Sequence, residues 1–66
     1  MKELDVVELL KNYENIPEGT EGTIVLDYDK NTCEVEFYDG EGYTIDVVTI
    51  PKNLLRIVTH KHSSFN

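Results

Sequence analysis

The sequence predicts an all-β fold, a small five-stranded barrel with one short 3₁₀ or helical turn before its last strand. Short runs of Val, Ile, Thr, Tyr and Phe alternate with polar residues, which is the pattern of half-buried strands. Clusters of Gly, Asp and Asn separate these runs and indicate tight turns. The chain has 66 residues and a single cysteine. One domain, without an internal disulfide, must therefore fold by packing alone or gain stability from a partner.

The first segment, Leu4–Leu10, carries two competing patterns. Some of its apolar residues recur at helical spacing, whereas its adjacent valines favour a strand. The run is too short for a stable isolated helix, and the rest of the chain has strand patterns. We therefore expect a strand over Asp5–Leu10, followed by a polar loop over Lys11–Pro17.

Two glycines introduce the second strand, which we expect over Glu21–Tyr28. Gly19 and Gly22 are typical of positions that need a positive φ or a close approach of another backbone. The alternation beyond them places Ile24, Leu26 and Tyr28 on one face of the strand, and Thr23 and Val25 on the other.

The third strand, Cys33–Tyr38, has the clearest alternation in the chain. A turn over Asp29–Thr32 precedes it, and Asp39–Gly42 follows it with the Asp-Gly pair that favours a hairpin. The period of two divides the strand between the inside, Cys33, Val35 and Phe37, and the outside, Glu34 and Glu36.

The fourth strand is expected over Tyr43–Ile50. We place Ile45 and Val47 inward and Thr44 and Asp46 outward. Pro51–Leu54 then forms a single helical or 3₁₀ turn, because Pro suits the start of such a turn.

A short last strand, Leu55–Thr59, completes the predicted domain over residues 1–59. The remaining residues, 60–66, show no pattern and are expected to form a flexible tail. The order of strand, long loop, three-strand meander, helical turn and strand is the plan of an SH3-like barrel.

Four segments carry a resemblance to a bacterial family: Asp5–Leu10, Gly19–Val25, Cys33–Phe37 and Thr49–Arg56. The family consists of short, single-domain, uncharacterised SH3-like proteins, and the resemblance covers nearly all of residues 1–57. Such proteins are similar to the immunity partners encoded beside toxin domains. The resemblance therefore implies binding and neutralising a toxin, and it carries over no catalytic residue.

The charge balance limits the kind of partner. Thirteen acidic and six basic residues give a formal net charge of −7. Nucleic acids and anionic membranes should be repelled, whereas a basic protein would be attracted. Net charge of this size is equally typical of a protein that is simply kept soluble.

Three features of the sequence favour a cytoplasmic location. The acids in Met1–Asp5 argue against a signal peptide, and no apolar run approaches the roughly 20 residues of a membrane span. An unpaired cysteine suits a reducing compartment.

Two segments could suggest a metal site, and neither predicts one. Asp27–Asn31 matches the opening of a calcium loop, but Thr32 and Tyr38 stand where the loop needs Gly and Glu. His60 and His62 are only two ligands on an expected tail. We therefore predict no metal and no cofactor.

Enzymatic activity is also not expected. Cys33 lies on the predicted inner face beside Glu34, which opposes formation of a thiolate, so a core residue is the better interpretation. Glu34 and Glu36 share a strand face, but no neighbouring His or Lys and no long loop is available to tune their acidity.

What remains is a surface of acids and tyrosines rather than a motif. Carboxylates accept Arg side chains, and Tyr supplies rigid contact area. An ordinary solvated face would have the same composition. We expect a non-enzymatic immunity protein or inhibitor that covers the active site or substrate groove of a toxin, for example a nuclease. The alternative is a general SH3-like adaptor or an accessory subunit of a larger complex. The protein is expected to be a monomer, or a weak homodimer through an exposed strand edge. The candidate partner-binding residues are Glu21, Glu34, Glu36, Tyr38, Tyr43 and Asp46.

Overall fold

A computed structural model describes residues 1–58, and their five strands form one antiparallel sheet. The strand order across the sheet is β4-β3-β2-β1-β5. The all-β class, the five strands and the turn before the last strand are confirmed, and the ambiguous first segment is a strand. The elements in chain order are β1 (Val6–Leu9), β2 (Glu21–Leu26), β3 (Thr32–Tyr38), β4 (Thr44–Pro51), the 3₁₀ turn η1 (Lys52–Leu54) and β5 (Leu55–Ile57).

The sheet is open, with β4 and β5 as its two edges. Closure into the expected barrel is therefore not established. Both edge strands nevertheless contribute to one buried core, through Ile50 in β4 and Leu55 in β5. The sheet thus bends around its own inner face. Thr59, the expected end of the last strand, and the expected tail over residues 60–66 lie outside the described residues.

The inner face of the sheet carries a single apolar core. The predicted alternation of β3 is confirmed, since its three inward residues are fully buried and its two glutamates are half-buried. Ile16, from the loop between β1 and β2, is also buried. The core consists of Val7, Leu9, Ile16, Ile24, Cys33, Val35, Phe37, Val48, Ile50 and Leu55.

The prediction that Ile24, Leu26 and Tyr28 share one face of β2 is wrong after Ile24. The register with β3 shifts between Ile24 and Leu26, so that Leu26 pairs with Glu34 on the opposite, outer face. Leu26 is 40% exposed, and Tyr28, beyond the end of the strand, is 66% exposed. A bulge of this kind inserts one residue and reverses the alternation after it.

The predicted phase of β4 is also wrong. Val48 and Ile50 are buried, whereas Ile45 and Val47 are 42% and 48% exposed. Adjacent β-branched residues in this strand suit either phase, so the pattern alone does not decide between them. Pairing with β3 decides it, because Val48 lies opposite buried Val35.

The loop between β1 and β2 crosses the sheet towards β4. Tyr13 and Ile16 exchange backbone hydrogen bonds of 2.9 Å in each direction. The Tyr13 ring packs against the core, and its hydroxyl donates to the Thr49 carbonyl oxygen at 3.3 Å. Within residues 1–58, no helix has the length and apolar character that a membrane crossing requires.

Candidate functional site

Four glutamates lie on the outer face of the sheet, opposite the core. Cross-strand pairing places Glu8 beside Glu21, while Glu36 lies opposite Thr23 and Glu34 opposite Leu26. Partners in an antiparallel register share one face of a sheet, so these side chains project from the same side. We call the set Glu8, Glu21, Glu34 and Glu36 the acidic face.

Most of the negative charge on this face is uncompensated. Arg56 lies opposite Glu8 in the register and forms an ion pair with it. Among the described residues, the other ion pairs join Lys2 to Asp5 and Lys52 to Asp27. Glu21, Glu34 and Glu36 therefore present negative charge to any approaching partner.

Threonines of β4 hold two of these carboxylates. The Thr44 hydroxyl donates to Glu36 Oε2 at 2.5 Å, and the Thr49 hydroxyl donates to Glu34 Oε2 at 3.5 Å. A hydroxyl restrains a carboxylate without neutralising its charge. The charged groups are thus partly ordered before a partner binds, which lowers the entropic cost of association.

Tyr38 extends the acidic face at the end of β3. The residue is half-buried, and its hydroxyl donates to Thr23 Oγ1 at 3.0 Å across β2. The hydrogen bond fixes the ring against the sheet, where it provides rigid contact area. The structure therefore brings four of the six candidate residues to one region: Glu21, Glu34, Glu36 and Tyr38.

The structure does not bring Asp46 to this face. Asp46 lies opposite buried Phe37, so it belongs to the row of the inner face, at its exposed end. The expectation that Asp46 projects outward beside Glu34 and Glu36 is wrong because the register shifts between Phe37 and Tyr38, which makes Ile45 the extra residue.

Tyr43 lies outside the strands and is 70% exposed. Its backbone closes the turn between β3 and β4, since its N–H donates to Asp39 Oδ1 at 3.0 Å. Its carbonyl oxygen accepts the Asp39 N–H at 2.8 Å. Tyr43 therefore belongs to the hairpin rather than to the acidic face.

Apolar side chains interrupt the acids on the outer face. Leu26 lies opposite Glu34, and Val47 lies opposite Glu36. Both are substantially exposed. A partner that covers this face would bury apolar area as well as pair charges, a combination that is common in specific interfaces.

A cleft of about 800 Å³ lies at one end of the acidic face. The loop before β2 and the turn between β3 and β4 form its walls, and Tyr38 and Ile45 provide apolar surface. Three carboxylate residues line it, Glu18, Glu21 and Asp39. The cleft joins the acidic face through Glu21 and Tyr38, which belong to both.

Backbone hydrogen bonds hold both walls of the cleft. Gly19 adopts a φ of 89° and donates its N–H to the Leu9 carbonyl oxygen at 2.8 Å. The Thr20 hydroxyl donates to the Pro17 carbonyl oxygen at 2.7 Å. In the opposite wall, Asp39 Oδ1 accepts the Glu41 N–H at 2.9 Å. The cleft is thus formed before any ligand enters it.

Sequence reasoning missed Glu8 and the cleft. Glu8 joins the acidic face only through the register of β1 against β2, and a sequence pattern does not specify which residues lie opposite each other. The cleft depends on how two loops approach each other. The sequence located each loop by its own turn residues but did not show that the two lie side by side.

The segments considered for metal binding or catalysis have structural roles. Asp27 forms an ion pair with Lys52 at 2.5 Å, and Asp29 Oδ1 accepts the Asn31 N–H at 2.8 Å within a turn. Cys33 is fully buried, and burial raises the pKa of its thiol. Within the part of the chain that the structure describes, no three His, Cys, Asp or Glu side chains converge to hold a metal ion. His60 and His62 lie outside it.

Comparison with known proteins identifies a family. Residues 3–57 match the model of a family described as "Domain of unknown function (DUF4926)". Neither a curated protein nor a solved structure matches the chain.

Proposed function

This chain belongs to the DUF4926 family of domains of unknown function, and we propose that it is a non-enzymatic binding module whose acidic face docks on a basic protein. The observation that carries the proposal is the placement of Glu21, Glu34 and Glu36 on one sheet face without ion-pair partners among the described residues. A basic surface would be attracted to this face and oriented by it.

The partner that best suits this face is a toxin with a basic substrate groove. In a nuclease toxin, the groove binds phosphates, and carboxylates spaced along two strands would occupy the same positions. An Arg side chain in the groove can bind a carboxylate in place of a phosphate, because its guanidinium pairs with both groups. The protein would then act as an immunity protein that blocks the toxin in the bacterial cytoplasm. The resemblance to immunity partners supports this assignment.

The finer fold assignment is part of the same proposal. An SH3-like barrel has its first strand between the second and the last, and β1 lies between β2 and β5 in the sheet. The shared core of the two edge strands supports such a curled arrangement. In this arrangement the acidic face is the exterior of the barrel.

The cleft favours a second candidate function, that of a general adaptor. Pro17, Tyr38 and Ile45 give the cleft an apolar component that a purely electrostatic inhibitor does not need. A segment of another protein could bury apolar area there while its basic residues meet Glu18 and Glu21. Binding through this cleft alone would depend less on salt than binding through the whole acidic face.

The test compares two variants of equal net charge in an affinity capture from the native cell lysate. Glu34→Lys/Glu36→Lys reverses two charges on the acidic face. Glu3→Lys/Glu14→Lys reverses two exposed charges that do not belong to the acidic face. We expect the wild type and the second variant to retain one basic protein at low salt and to lose it at high salt. The captured protein should lose its activity when bound.

Two outcomes separate the candidates. If both charge-reversal variants retain the partner equally, the acidic face is not the interface. If the wild type captures several subunits of one assembly and retains them at high salt, the adaptor function is supported instead.

A further inference from the structure

The outer side of β4, the longest strand, is an edge of the sheet. Alternate residues of an edge strand direct both their N–H and C=O groups to the open side. In β4 these residues are Val47, Thr49 and Pro51, because Val47 N and the Thr49 carbonyl oxygen bind side chains rather than β3. An incoming antiparallel strand would need both groups of each residue.

Each of the three residues has lost one of its two pairing groups. The Val47 N–H donates to Asp46 Oδ1 at 2.8 Å. The Thr49 carbonyl oxygen accepts the Tyr13 hydroxyl at 3.3 Å. Pro51 has no N–H. The edge is therefore closed at three successive positions, by a carboxylate, by a tyrosine from a distant loop and by a proline.

We propose that the outer edge of β4 is a latent pairing surface for a second copy of this chain, which Asp46 and Tyr13 keep closed. Asp46 is the only charged residue in β4 (Thr44–Pro51). Without it, the strand is an uncharged, β-branched segment, the composition that self-associates most readily. Without Asp46, a second copy would bring an identical uncharged edge, whereas the acidic face repels its own copy.

The proposal assigns Asp46 a function different from that of the acidic face. The Asp46 carboxylate accepts the backbone N–H of Val47. Asp46 lies opposite Phe37, at the exposed end of the residues on the inner face of the sheet. Charge on an edge strand is a common protection against strand addition. The other edge, β5, is only three residues long and carries Arg56, so it offers a shorter template.

Sedimentation velocity over a range of protein concentrations tests the proposal. Asp46→Ala/Tyr13→Phe frees the Val47 N–H and the Thr49 carbonyl oxygen while keeping the Tyr13 ring in the core. Asp29→Ala/Tyr28→Phe is the matched control. It removes the same atoms from the turn between β2 and β3, where Asp29 also accepts a backbone N–H, and from exposed Tyr28.

We expect Asp46→Ala/Tyr13→Phe to dimerise. The wild type and the control should remain monomeric even at concentrations about tenfold above the dissociation constant of that dimer. Asp46→Asn keeps an acceptor oxygen and loses only the charge, so it should associate more weakly than Asp46→Ala/Tyr13→Phe. Amide exchange at Val47 should be faster in Asp46→Ala than in the wild type. Equal association of the Asp46→Ala/Tyr13→Phe variant and the control would overturn the proposal, and so would a wild-type dimer whose formation protects the Thr49 amide.

Discussion

The α-carbon of Gly22 lies so close to the backbone of Glu36 that a Cβ atom built on it would be 2.6 Å from the Glu36 carbonyl oxygen. The same Cβ would lie 2.7 Å from Val35 Cγ1. Real Cβ atoms do not approach other atoms so closely, and a carbonyl oxygen in a ladder cannot move aside cheaply. The packing of β2 on β3, and with it the position of Glu36 on the acidic face, thus depends on a glycine.

Gly22→Ala should lower the free energy of unfolding by about 3 kcal/mol, the upper part of the range for overpacked sites. Gly40→Ala is the control, because a Cβ there would meet nothing within 4 Å and its φ is not positive. Urea unfolding of the two variants measures the difference. Equal stability of the two variants would contradict the close approach of β2 to β3.

The sequence could predict the elements where one pattern dominates. The β3 alternation and the start of a 3₁₀ turn after Pro51 follow from local rules of side-chain period and proline geometry. The close approach at Gly22 and the positive φ of Gly19 also follow, because glycine has no Cβ and favours both arrangements.

The parts that failed depend on partners distant in the sequence. Whether Val47 or Val48 faces the core is decided by their positions opposite β3, and a bulge at Ile45 then changes the phase of Asp46. A bulge costs little in local propensity, so the sequence pattern does not reveal it. The outward direction was therefore predicted correctly for Glu34 and Glu36 and wrongly for Asp46.

Cys33 should make the protein less stable at alkaline pH. Burial raises the pKa of its thiol above the ordinary value of 9.0. The folded state then binds the proton more tightly than the unfolded state. The stability that this tighter binding contributes is fully present below the pKa of the thiol in the unfolded state. It is lost as the pH rises through the pKa of the thiol in the folded state.

The measurement is the free energy of unfolding between about pH 8 and pH 11 for the wild type and Cys33→Ala. The difference in slope isolates the thiol from tyrosines and lysines that titrate in the same range. We expect the wild type to lose stability more steeply than the variant. Parallel curves would show that the thiol ionises equally well in the folded state.

Asp5 should have the opposite dependence at acid pH. Its carboxylate accepts the Lys2 Nζ at 3.0 Å and the Lys2 backbone N–H at 2.9 Å, and these hydrogen bonds hold its pKa below the ordinary value. The stability they contribute is present above the unfolded pKa and lost as pH falls through the folded pKa. An NMR titration should show the pKa of Asp5 rising in Lys2→Ala, which removes the ammonium but keeps the backbone N–H. No change would mean that the ammonium does not act on Asp5.

The Glu8–Arg56 ion pair should contribute little to stability but much to the field of the acidic face. The Arg56 side chain is 60% exposed, so solvent screens the pair and its loss should cost at most about 1 kcal/mol. Arg56→Gln removes the cation of this face and should accelerate association with the basic partner. Stopped-flow association rates at low and high salt measure the effect. Lys2→Gln, which removes a cation at the N-terminus, is the control for net charge, and equal rates for the two variants would contradict a local effect.

Glu18 and Glu21 should make the cleft a receptor for an arginine side chain of the partner. The carboxylates can accept a guanidinium, while Tyr38 offers an aromatic face on which it can stack. The probe is the blocked tripeptide acetyl-Gly-Arg-Gly-amide, followed by the amide NMR signals of Gly19, Gly40 and Gly42. Its citrulline analogue has the same shape without the charge. We expect localised, saturable shifts with a dissociation constant of about 1 mM, consistent with a single side chain.

The Glu18→Gln/Glu21→Gln variant should weaken this binding at least about fivefold. The Glu34→Gln/Glu36→Gln variant has the same net charge and should preserve the binding. If both variants lose binding equally, or if citrulline binds as well as arginine, the cleft does not recognise the guanidinium. The acidic face would then remain open to test by capture of the whole partner, because that experiment does not depend on the cleft.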